Sequence, residues 1–438
     1  MAQSGSSRIT EWLKQTNGFS FAVYATVMAF CLYTCVYAFR KTFAAATFDG
    51  MVYAGVSYKV WLIIFQVMGY AISKFVGIKV ISELKASSRS FGIVLMITIA
   101  GISWFFFAIV PPPYNMFFLF TNGFPLGLVW GMIFGYMEGR RFTEVLGAGL
   151  SVSFIFSAGA AKSAGGFIMR DWGVSEFWMP FVTCCVFLAP LLIFLWFLDK
   201  LPPPSPLDEK LRTRRQPMDL NERKQFIHTF WPGIILFTLS YMLLTTFREF
   251  RDNFSAEVWK SFGYGDSPEI FTATETPISI AILAVMGSLM LIKNNQTAFM
   301  VNHLIIFIGM IVIGASTFFF QNDLISPPVW MILIGMGLYL GYIPFNSIFF
   351  DRLLAAFKYV GTVGFLIYVA DAFGYVGSIG VLLFKEFGYA KLSWVDFFLI
   401  TGYVISICGS FFISASMLYF HRKHKRWKKH NQAIQPGQ

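Results

Sequence analysis

The feature that most constrains this chain is a succession of apolar runs, each about twenty residues long. A helix of that length, rising about 1.5 Å per residue, crosses a bilayer hydrocarbon core of roughly 30 Å. Charged residues make up 13% of the sequence, whereas they form roughly 25% of a soluble domain. The sequence therefore predicts an all-α membrane protein that crosses the bilayer many times.

Twelve such runs predict twelve transmembrane helices. They cover residues 19–42, 56–78, 91–110, 114–137, 145–169, 177–198, 230–252, 270–292, 300–320, 328–350, 357–384 and 394–420. The longest polar segment between two runs follows the sixth, so the runs form two sets of six. The expected domains are an N-terminal tail at 1–18, an N-terminal six-helix bundle at 19–198, a basic linker at 199–229, a C-terminal six-helix bundle at 230–420 and a basic C-terminal tail at 421–438.

The two sets of six share residue spacings, which indicates an internal repeat. Tyr33, Phe39 and Arg40 recur as Tyr241, Phe247 and Arg248, 208 residues later. A Gly-Leu-x-x-Gly pattern in the fourth run recurs in the tenth at a similar offset. Parallel halves with a substrate site at the membrane midplane are the architecture of the major facilitator superfamily. We therefore expect two pseudo-symmetric bundles with this fold.

The distribution of basic residues sets the expected orientation. Most Lys and Arg residues fall in the tails and in loops on the same side as the N-terminus, which the positive-inside rule places in the cytoplasm. We therefore expect a multi-pass integral protein of the cell or inner membrane, monomeric, with both termini and the linker cytoplasmic. The basic linker and tail suit anionic membrane lipid and not nucleic acid.

The runs contain few ionisable residues, and a charge at membrane depth marks a functional site by default. The candidates among them are Arg40, Lys41, Lys74, Lys162, Arg248, Glu249, Arg251, Asp252, Glu275 and Asp371. Basic residues outnumber acidic ones, and three of them have no acid in their own run. A cavity lined by unmatched cations suits an anion, because arginine can hold two oxygens of a phosphate or carboxylate at once.

Helix periodicity adds tyrosines to this candidate substrate site. Tyr33 and Tyr37 share a helix face with Arg40, and Tyr241 shares one with Arg248. We expect the substrate-binding residues to be Arg40, Arg248, Lys74, Lys162, Tyr33, Tyr37 and Tyr241. We expect the coupling or charge-pair residues to be Asp371, Glu275, Lys41 and Arg251.

Several of these residues have a structural alternative. Arg40, Arg248 and Lys74 could be interfacial side chains that reach towards the headgroups. Lys162 could form a structural salt bridge with Asp371, which could equally be a proton site.

The seventh and eighth runs leave further alternatives. Arg248 could pair with Asp252 one turn later, and Arg251 competes with Arg248 as the residue that faces the cavity. Glu275 falls in the first turn of its run and is expected to be partly solvated.

Four motifs resemble the organophosphate:phosphate antiporter family of the major facilitator superfamily, which includes glycerol-3-phosphate and hexose-phosphate carriers. They are Tyr37-Ala-Phe-Arg40-Lys41-Thr-Phe43, Gly69-Tyr70-Ala-Ile-Ser73-Lys74-Phe75, Lys162-Ser-Ala-Gly165-Gly166, and Arg248 ahead of Asp252 and Ser255. The family has histidine where Lys162 stands, and the loop after the second run departs from its pattern. The resemblance implies that Arg40 and Arg248 grip phosphate, with Lys74 and Lys162 nearby.

The expected function is secondary active transport of a small organic anion, with phosphorylated metabolites as one candidate class. The alternative is a transporter-like ligand sensor that signals through its cytoplasmic loops. The choice between antiport and symport, the coupling ion and the direction of transport stay open. Enzyme motifs such as H-E-x-x-H, G-x-S-x-G and Walker A do not occur, so we expect no enzyme and no cofactor.

Histidines and cysteines give no sign of a metal site or of disulfides. We expect the five histidines in loops or tails, and therefore no bound metal. They are His228, His303, His421, His424 and His430. All five cysteines fall inside apolar runs, where they are expected to be packing residues.

The orientation can be tested in the linker. A single cysteine placed at Lys210, in a variant whose native cysteines are replaced, should react with a membrane-impermeant maleimide only after the cells are opened. The positive-inside rule puts this basic segment in the cytoplasm. Labelling of Lys210→Cys in intact cells would reverse the orientation.

Overall fold

The computed structural model describes residues 7–84, 86–137, 143–204, 220–359, 364–388 and 392–434. Almost all of these residues are helical. The helices are α1 (Arg8–Gln15), α2 (Gly18–Lys41), α3 (Tyr58–Glu83), α4 (Arg89–Ile109), α5 (Phe117–Phe134), α6 (Thr143–Trp172), α7 (Met179–Asp199), α8 (Leu220–Ser261), α9 (Glu269–Met290), α10 (Asn295–Gln321), α11 (Pro327–Ser347), α12 (Phe349–Ala356), α13 (Gly364–Gly388), α14 (Trp394–Val404) and α15 (Ser410–Ile434).

Eleven helical segments within the described ranges are long and apolar enough to cross a membrane. They correspond to eleven of the predicted runs. The remaining predicted run, 357–384, overlaps α13, and residues 360–363 of it lie outside the described ranges. The expectation of an all-α membrane protein is confirmed. A hairpin of two short strands, β1 (Val52–Tyr53) and β2 (Val56–Ser57), joins α2 to α3.

Helix ends differ from the predicted runs wherever polar residues continue a helix. Helix α8 has 42 residues, although its apolar run was predicted at 230–252. Helix α15 continues to Ile434, so the predicted tail at 421–438 is helical through that residue. Hydropathy marks only the apolar middle of a helix, whereas backbone hydrogen bonding continues through polar side chains. Residues 205–219 of the predicted linker lie outside the described ranges, and its residues from Leu220 onward belong to α8.

The chain divides into two compact units. Unit 1 comprises Met1–Arg212, Asp252–Ser279 and Leu382–Ala390, and unit 2 comprises Thr213–Arg251, Ile280–Val381 and Lys391–Gln438. Helices α8, α9 and α13 each contribute residues to both units. The point at which α8 changes unit lies between Arg251 and Asp252, in the middle of the charged stretch singled out from the sequence.

In unit 1, a buried polar cluster holds the end of α2. The Gln66 side-chain amide donates to the carbonyl oxygen of Arg40 at 2.8 Å and to the Asn122 side-chain oxygen at 2.9 Å. Asn122 and Trp104 donate to the carbonyl oxygen of Phe39 at 3.1 and 2.6 Å. The last carbonyls of a helix have no partner within it. These side chains satisfy them and so fix the turn that carries Arg40.

Glycines allow the helices of this cluster to approach closely. A Cβ atom on Gly123 would lie 2.2 Å from the carbonyl oxygen of Gln66, and one on Gly69 would lie 2.3 Å from that of Phe120. Small residues at such contacts let the backbones of membrane helices touch. Helices α3 and α5 therefore pack backbone to backbone beside Gln66.

Unit 2 contains a buried histidine that contradicts the sequence expectation. His303 lies inside α10 and is fully buried, and its two ring nitrogens lie 2.9 Å from the Phe299 carbonyl oxygen and 3.2 Å from the Ser416 hydroxyl. The other four histidines also lie in helices α8 and α15. The prediction that all five histidines lie in loops or tails was wrong for His303, which falls inside the apolar run predicted at 300–320.

Candidate functional site

Arg40 is buried in the last turn of α2 against two aromatic rings. Its guanidinium carbon lies 3.9 Å from the centroid of the Tyr70 ring and 5.9 Å from that of Tyr37. The side chain is 5% exposed. A guanidinium in such a position is attracted by the negative face of the ring. Arg40 is therefore an interior residue of unit 1.

The tyrosines predicted to accompany Arg40 form an aromatic wall beside it. The rings of Tyr33 and Tyr37 meet edge to face, with centroids 5.3 Å apart. Both also pack on Phe154 of α6, at 5.2 and 6.3 Å. Both tyrosines are buried. Helix α6 thus supports the face of α2 that carries Arg40.

Lys74 lies one turn after Tyr70 on α3 and shares its ring with Arg40. The Lys74 ammonium is 4.9 Å from the Tyr70 centroid and 5.7 Å from a ring of Trp130. The lysine is half-buried. Two of the predicted substrate-binding cations therefore lie against the same tyrosine.

A second cluster in unit 1 holds one carboxylate between two lysines. The Lys41 ammonium lies 3.2 Å from one Asp252 carboxylate oxygen, and the Lys162 ammonium lies 3.1 Å from the other. Lys41 also donates to Asn253 at 2.9 Å, and Lys162 donates to Ser255 at 3.0 Å. All of these residues are buried. A single acid therefore serves two ammonium groups.

These contacts correct the structural alternative considered for Lys162. Its partner is Asp252 of α8, and the suggested salt bridge with Asp371 was wrong. Lys162 and Asp371 were linked because they occupy equivalent positions in the two predicted halves. Equivalent positions in a repeat need not be in contact. A lysine this deep needs a counter-charge, which Asp252 supplies at the point where α8 enters unit 1.

A third ion pair in unit 1 was not expected from the sequence. The Lys59 ammonium lies 2.7 Å from a Glu257 carboxylate oxygen and donates to the Ala44 carbonyl at 3.1 Å. Lys59 is buried. Glu257 lies beyond the end of its apolar run, which was predicted at 252. The polar periodicity Asn253–Glu257 along α8 was the signal that could have identified it.

The C-terminal end of α8 carries an exposed ion pair. Lys260 of α8 bonds to Asp49 in the loop before β1. The ammonium of Lys260 lowers the pKa of Asp49 below its ordinary value, chiefly through this hydrogen bond.

Glu275 is buried and not solvated, contrary to the sequence expectation. It is 4% exposed and lies in the second turn of α9, which begins at Glu269. A Cβ atom on Gly159 of α6 would lie 2.9 Å from its Cγ. Gly159 therefore makes the space that the Glu275 side chain occupies in unit 1.

Unit 2 contains Arg248 and Arg251, the two candidate arginines of the seventh run, and both are buried. Arg248 pairs with the adjacent Glu249 at 2.6 Å, and its guanidinium carbon lies 4.6 Å from the Tyr342 ring centroid. Arg251 donates to the carbonyl oxygen of Met331 at 3.1 Å. Arg248 thus repeats within unit 2 the arrangement of Arg40, a guanidinium against a tyrosine ring.

Asp371, the other acid singled out from the sequence, meets a tyrosine. The hydroxyl of Tyr241 donates to its carboxylate at 2.5 Å. Tyr241 stacks on Tyr342 with centroids 5.4 Å apart, and Asn346 donates to the Tyr241 hydroxyl at 3.2 Å. Asp371 therefore belongs to the same buried polar network as Arg248.

Buried basic side chains outnumber acidic ones among the described residues. The basic ones are Arg40, Lys41, Lys59, Lys162, Arg248, Arg251 and Lys385; the acidic ones are Glu249, Asp252, Glu275, Asp371 and Glu386. The excess lies in unit 1, and it remains after Glu257, whose side chain is 13% exposed, is counted with the acids. Buried charge of one sign calls for a compensating group of the other.

Comparison with solved structures identifies the fold. A crystal structure of a D-xylose-proton symporter matches with a TM-score of 0.58 at 16% identity, over 91% of this chain and 96% of that one. A major facilitator superfamily proton:xylose symporter bound to 6-bromo-6-deoxy-D-glucose matches with a TM-score of 0.60 at 14% identity, over 92% and 96%. The chain therefore has the major facilitator fold, as expected from its sequence.

The family follows from the sequence itself. Residues 42–423 match a family described as of unknown function, DUF5690, and the chain belongs to that family. No curated protein matches it by sequence.

The shared carboxylate of Asp252 gives a stability prediction. Asp252→Asn should lower the free energy of unfolding by roughly 3 kcal/mol or more, because it leaves two buried ammonium groups without their counter-ion. Reversible unfolding in detergent micelles would measure the loss. Asp171→Asn, which removes an exposed partner of Arg170, should have a much smaller effect, because solvent screens an exposed ion pair. Equal effects of the two changes would contradict the role given to Asp252.

Proposed function

We propose that this protein is a secondary transporter for a small organic anion. The observation that carries the proposal is the burial of Arg40 against Tyr70, in a unit whose buried basic groups exceed its acidic ones. An anionic substrate would add negative charge beside this excess of buried basic groups. The major facilitator fold supports alternating access of such a site.

The side chains of the site favour phosphate or carboxylate over a neutral ligand. Arginine presents a planar fork that matches two oxygens of either group. The half-buried ammonium of Lys74 lies 4.9 Å from the centroid of the Tyr70 ring that also contacts Arg40. The tyrosine wall of Tyr33 and Tyr37 offers hydroxyl groups and ring faces to the remainder of the substrate. The resemblance to organophosphate carriers makes a phosphorylated metabolite the first class to test.

We further propose that Arg40 and Arg248 are both substrate-binding residues. In support, each is buried against a tyrosine ring of its own unit, Tyr70 for Arg40 and Tyr342 for Arg248. The positive-inside distribution of Lys and Arg supports an orientation with both termini in the cytoplasm.

Substitution of Arg40 tests the anion site. Arg40→Lys keeps the positive charge but loses the fork, so affinity for the anion that the parent binds should fall about tenfold or more. Arg40→Ala should abolish binding while the protein stays folded. Thermal shifts with inorganic phosphate, sugar phosphates and carboxylates would first find the ligand, and titration calorimetry would compare the variants.

The matched control is Arg170→Lys, the same exchange at an exposed helix end, which should bind like the parent. Unchanged binding by Arg40→Ala would show that Arg40 is not a ligand. Flux in proteoliposomes then separates the two function classes. Substrate-dependent flux supports a transporter, whereas binding without flux supports the ligand sensor.

A further inference from the structure

One face of α15 changes from apolar to basic along its length. Phe411 and Leu418 are exposed apolar residues, and Arg422, Lys425 and Arg426 further along the helix are exposed and basic. The spacings between these five positions are three, four and seven residues. Such spacings place side chains on the same side of an α-helix. A single face of α15 is therefore apolar up to Leu418 and basic from Arg422 onward.

The change occurs where the hydrocarbon of the membrane ends. Helix α15 completes an apolar helical segment that begins at Trp394, and exposed apolar side chains of such a segment face the acyl chains of lipids. From Leu418 to Lys425 the helix rises about 10 Å. The headgroup region adds roughly 5–8 Å to each side of the hydrocarbon core. Arg422 and Lys425 therefore lie within reach of the headgroups of lipids whose chains contact Leu418.

The opposite face of α15 is packed, which fixes the direction of the basic face. The ring of Phe420 lies 6.1 Å from those of Phe230 and Phe357. One turn later, the His424 ring lies 5.5 Å from that of Phe357 and 5.6 Å from that of Trp427. Phe230 belongs to α8, and Phe357 directly follows α12. These contacts hold the basic segment against unit 2, so its cations keep a defined position along the helix.

The charge of this segment is not balanced by acidic side chains. Residues 421–428 contain five Lys or Arg residues and no Asp or Glu. Within the described part of the chain, Arg422, Lys425 and Arg426 form no ion pair with a carboxylate. A further ammonium group lies nearby, since that of Lys358 is 5.9 Å from a ring of Trp427. The basic face therefore suits an anionic partner.

An anionic phospholipid matches both parts of this face. Its phosphate oxygens suit the guanidinium forks of Arg422 and Arg426, and its acyl chains suit the apolar part of the same face. Basic side chains next to a membrane-spanning helix attract anionic headgroups. A soluble anion or a nucleic acid would use the basic part alone.

We propose that Arg422, Lys425 and Arg426 form a binding site for the headgroup of an anionic phospholipid, whose acyl chains lie along Leu418 and Phe411. The sequence indicated anionic lipid for the basic tail as a whole, and the helix face narrows this to three cations and two apolar side chains. The site does not depend on what the protein transports.

Native mass spectrometry of the purified protein tests the site. The protein is mixed with equal amounts of phosphatidylglycerol and phosphatidylcholine that carry the same acyl chains. The parent should retain phosphatidylglycerol with a preference of about tenfold or more, and added salt should reduce that preference. The triple change Arg422→Gln, Lys425→Gln and Arg426→Gln should remove most of it. The exchange Arg422→Lys, Lys425→Arg and Arg426→Lys keeps the charges and should keep most of the preference.

The control removes three exposed cations elsewhere, through Lys14→Gln, Arg170→Gln and Lys260→Gln, and should behave like the parent. Leu418→Asn should weaken the retention of both lipids, since the acyl chains lose an apolar contact, while the preference between headgroups persists.

The outcomes decide between lipid and other partners. A parent without a preference for phosphatidylglycerol, or an equal loss of preference in the control and in the triple glutamine variant, overturns the site. Displacement of phosphatidylglycerol by inorganic phosphate, together with unchanged lipid retention in Leu418→Asn, would show a site for soluble anions and overturn the lipid assignment.

Discussion

The cost of placing charge inside a membrane protein governs the arrangement of this molecule. Most of the buried cations described above lie close to a carboxylate or to the face of an aromatic ring. Lys41, Lys59 and Lys162 pair with carboxylates of α8. Arg40 lies against a tyrosine ring, and Arg248 has both a tyrosine ring and the Glu249 carboxylate. Arginine presents a planar fork that can hold two oxygens of an anion, and we propose Arg40 and Arg248 as substrate ligands for that reason.

Helix α8 organises much of this compensation. Its residues up to Arg251 belong to unit 2, and those from Asp252 onward belong to unit 1. The first part carries Tyr241 and Arg248, and the second carries the acids that neutralise three lysines. Glycines on the neighbouring helices allow close packing. Gly159 leaves room for Glu275, and Gly374 packs against Thr245. Small residues and charges therefore fall together where helices approach most closely.

The membrane fold could be predicted from the sequence because the thickness of the bilayer sets the length of the apolar runs that cross it. The sequence also identified Arg40 with Tyr33 and Tyr37, since their contacts follow from spacing within one helix. The partners of Lys162 and Lys59 could not be found this way, because they depend on packing between helices distant in sequence. The end of α8 was predicted too early for another reason. Hydropathy ends a run where polar residues begin, whereas the helix continues.

The central claim is that the protein binds an anion in preference to a neutral solute of the same shape. The most direct measurement is calorimetric titration of the parent protein with matched pairs, such as glycerol 3-phosphate against glycerol and a hexose phosphate against the free hexose. The account predicts that at least one phosphorylated member binds saturably, while its neutral counterpart shows no measurable heat. Binding of a neutral sugar, with no binding of any phosphorylated or carboxylated counterpart, would contradict it.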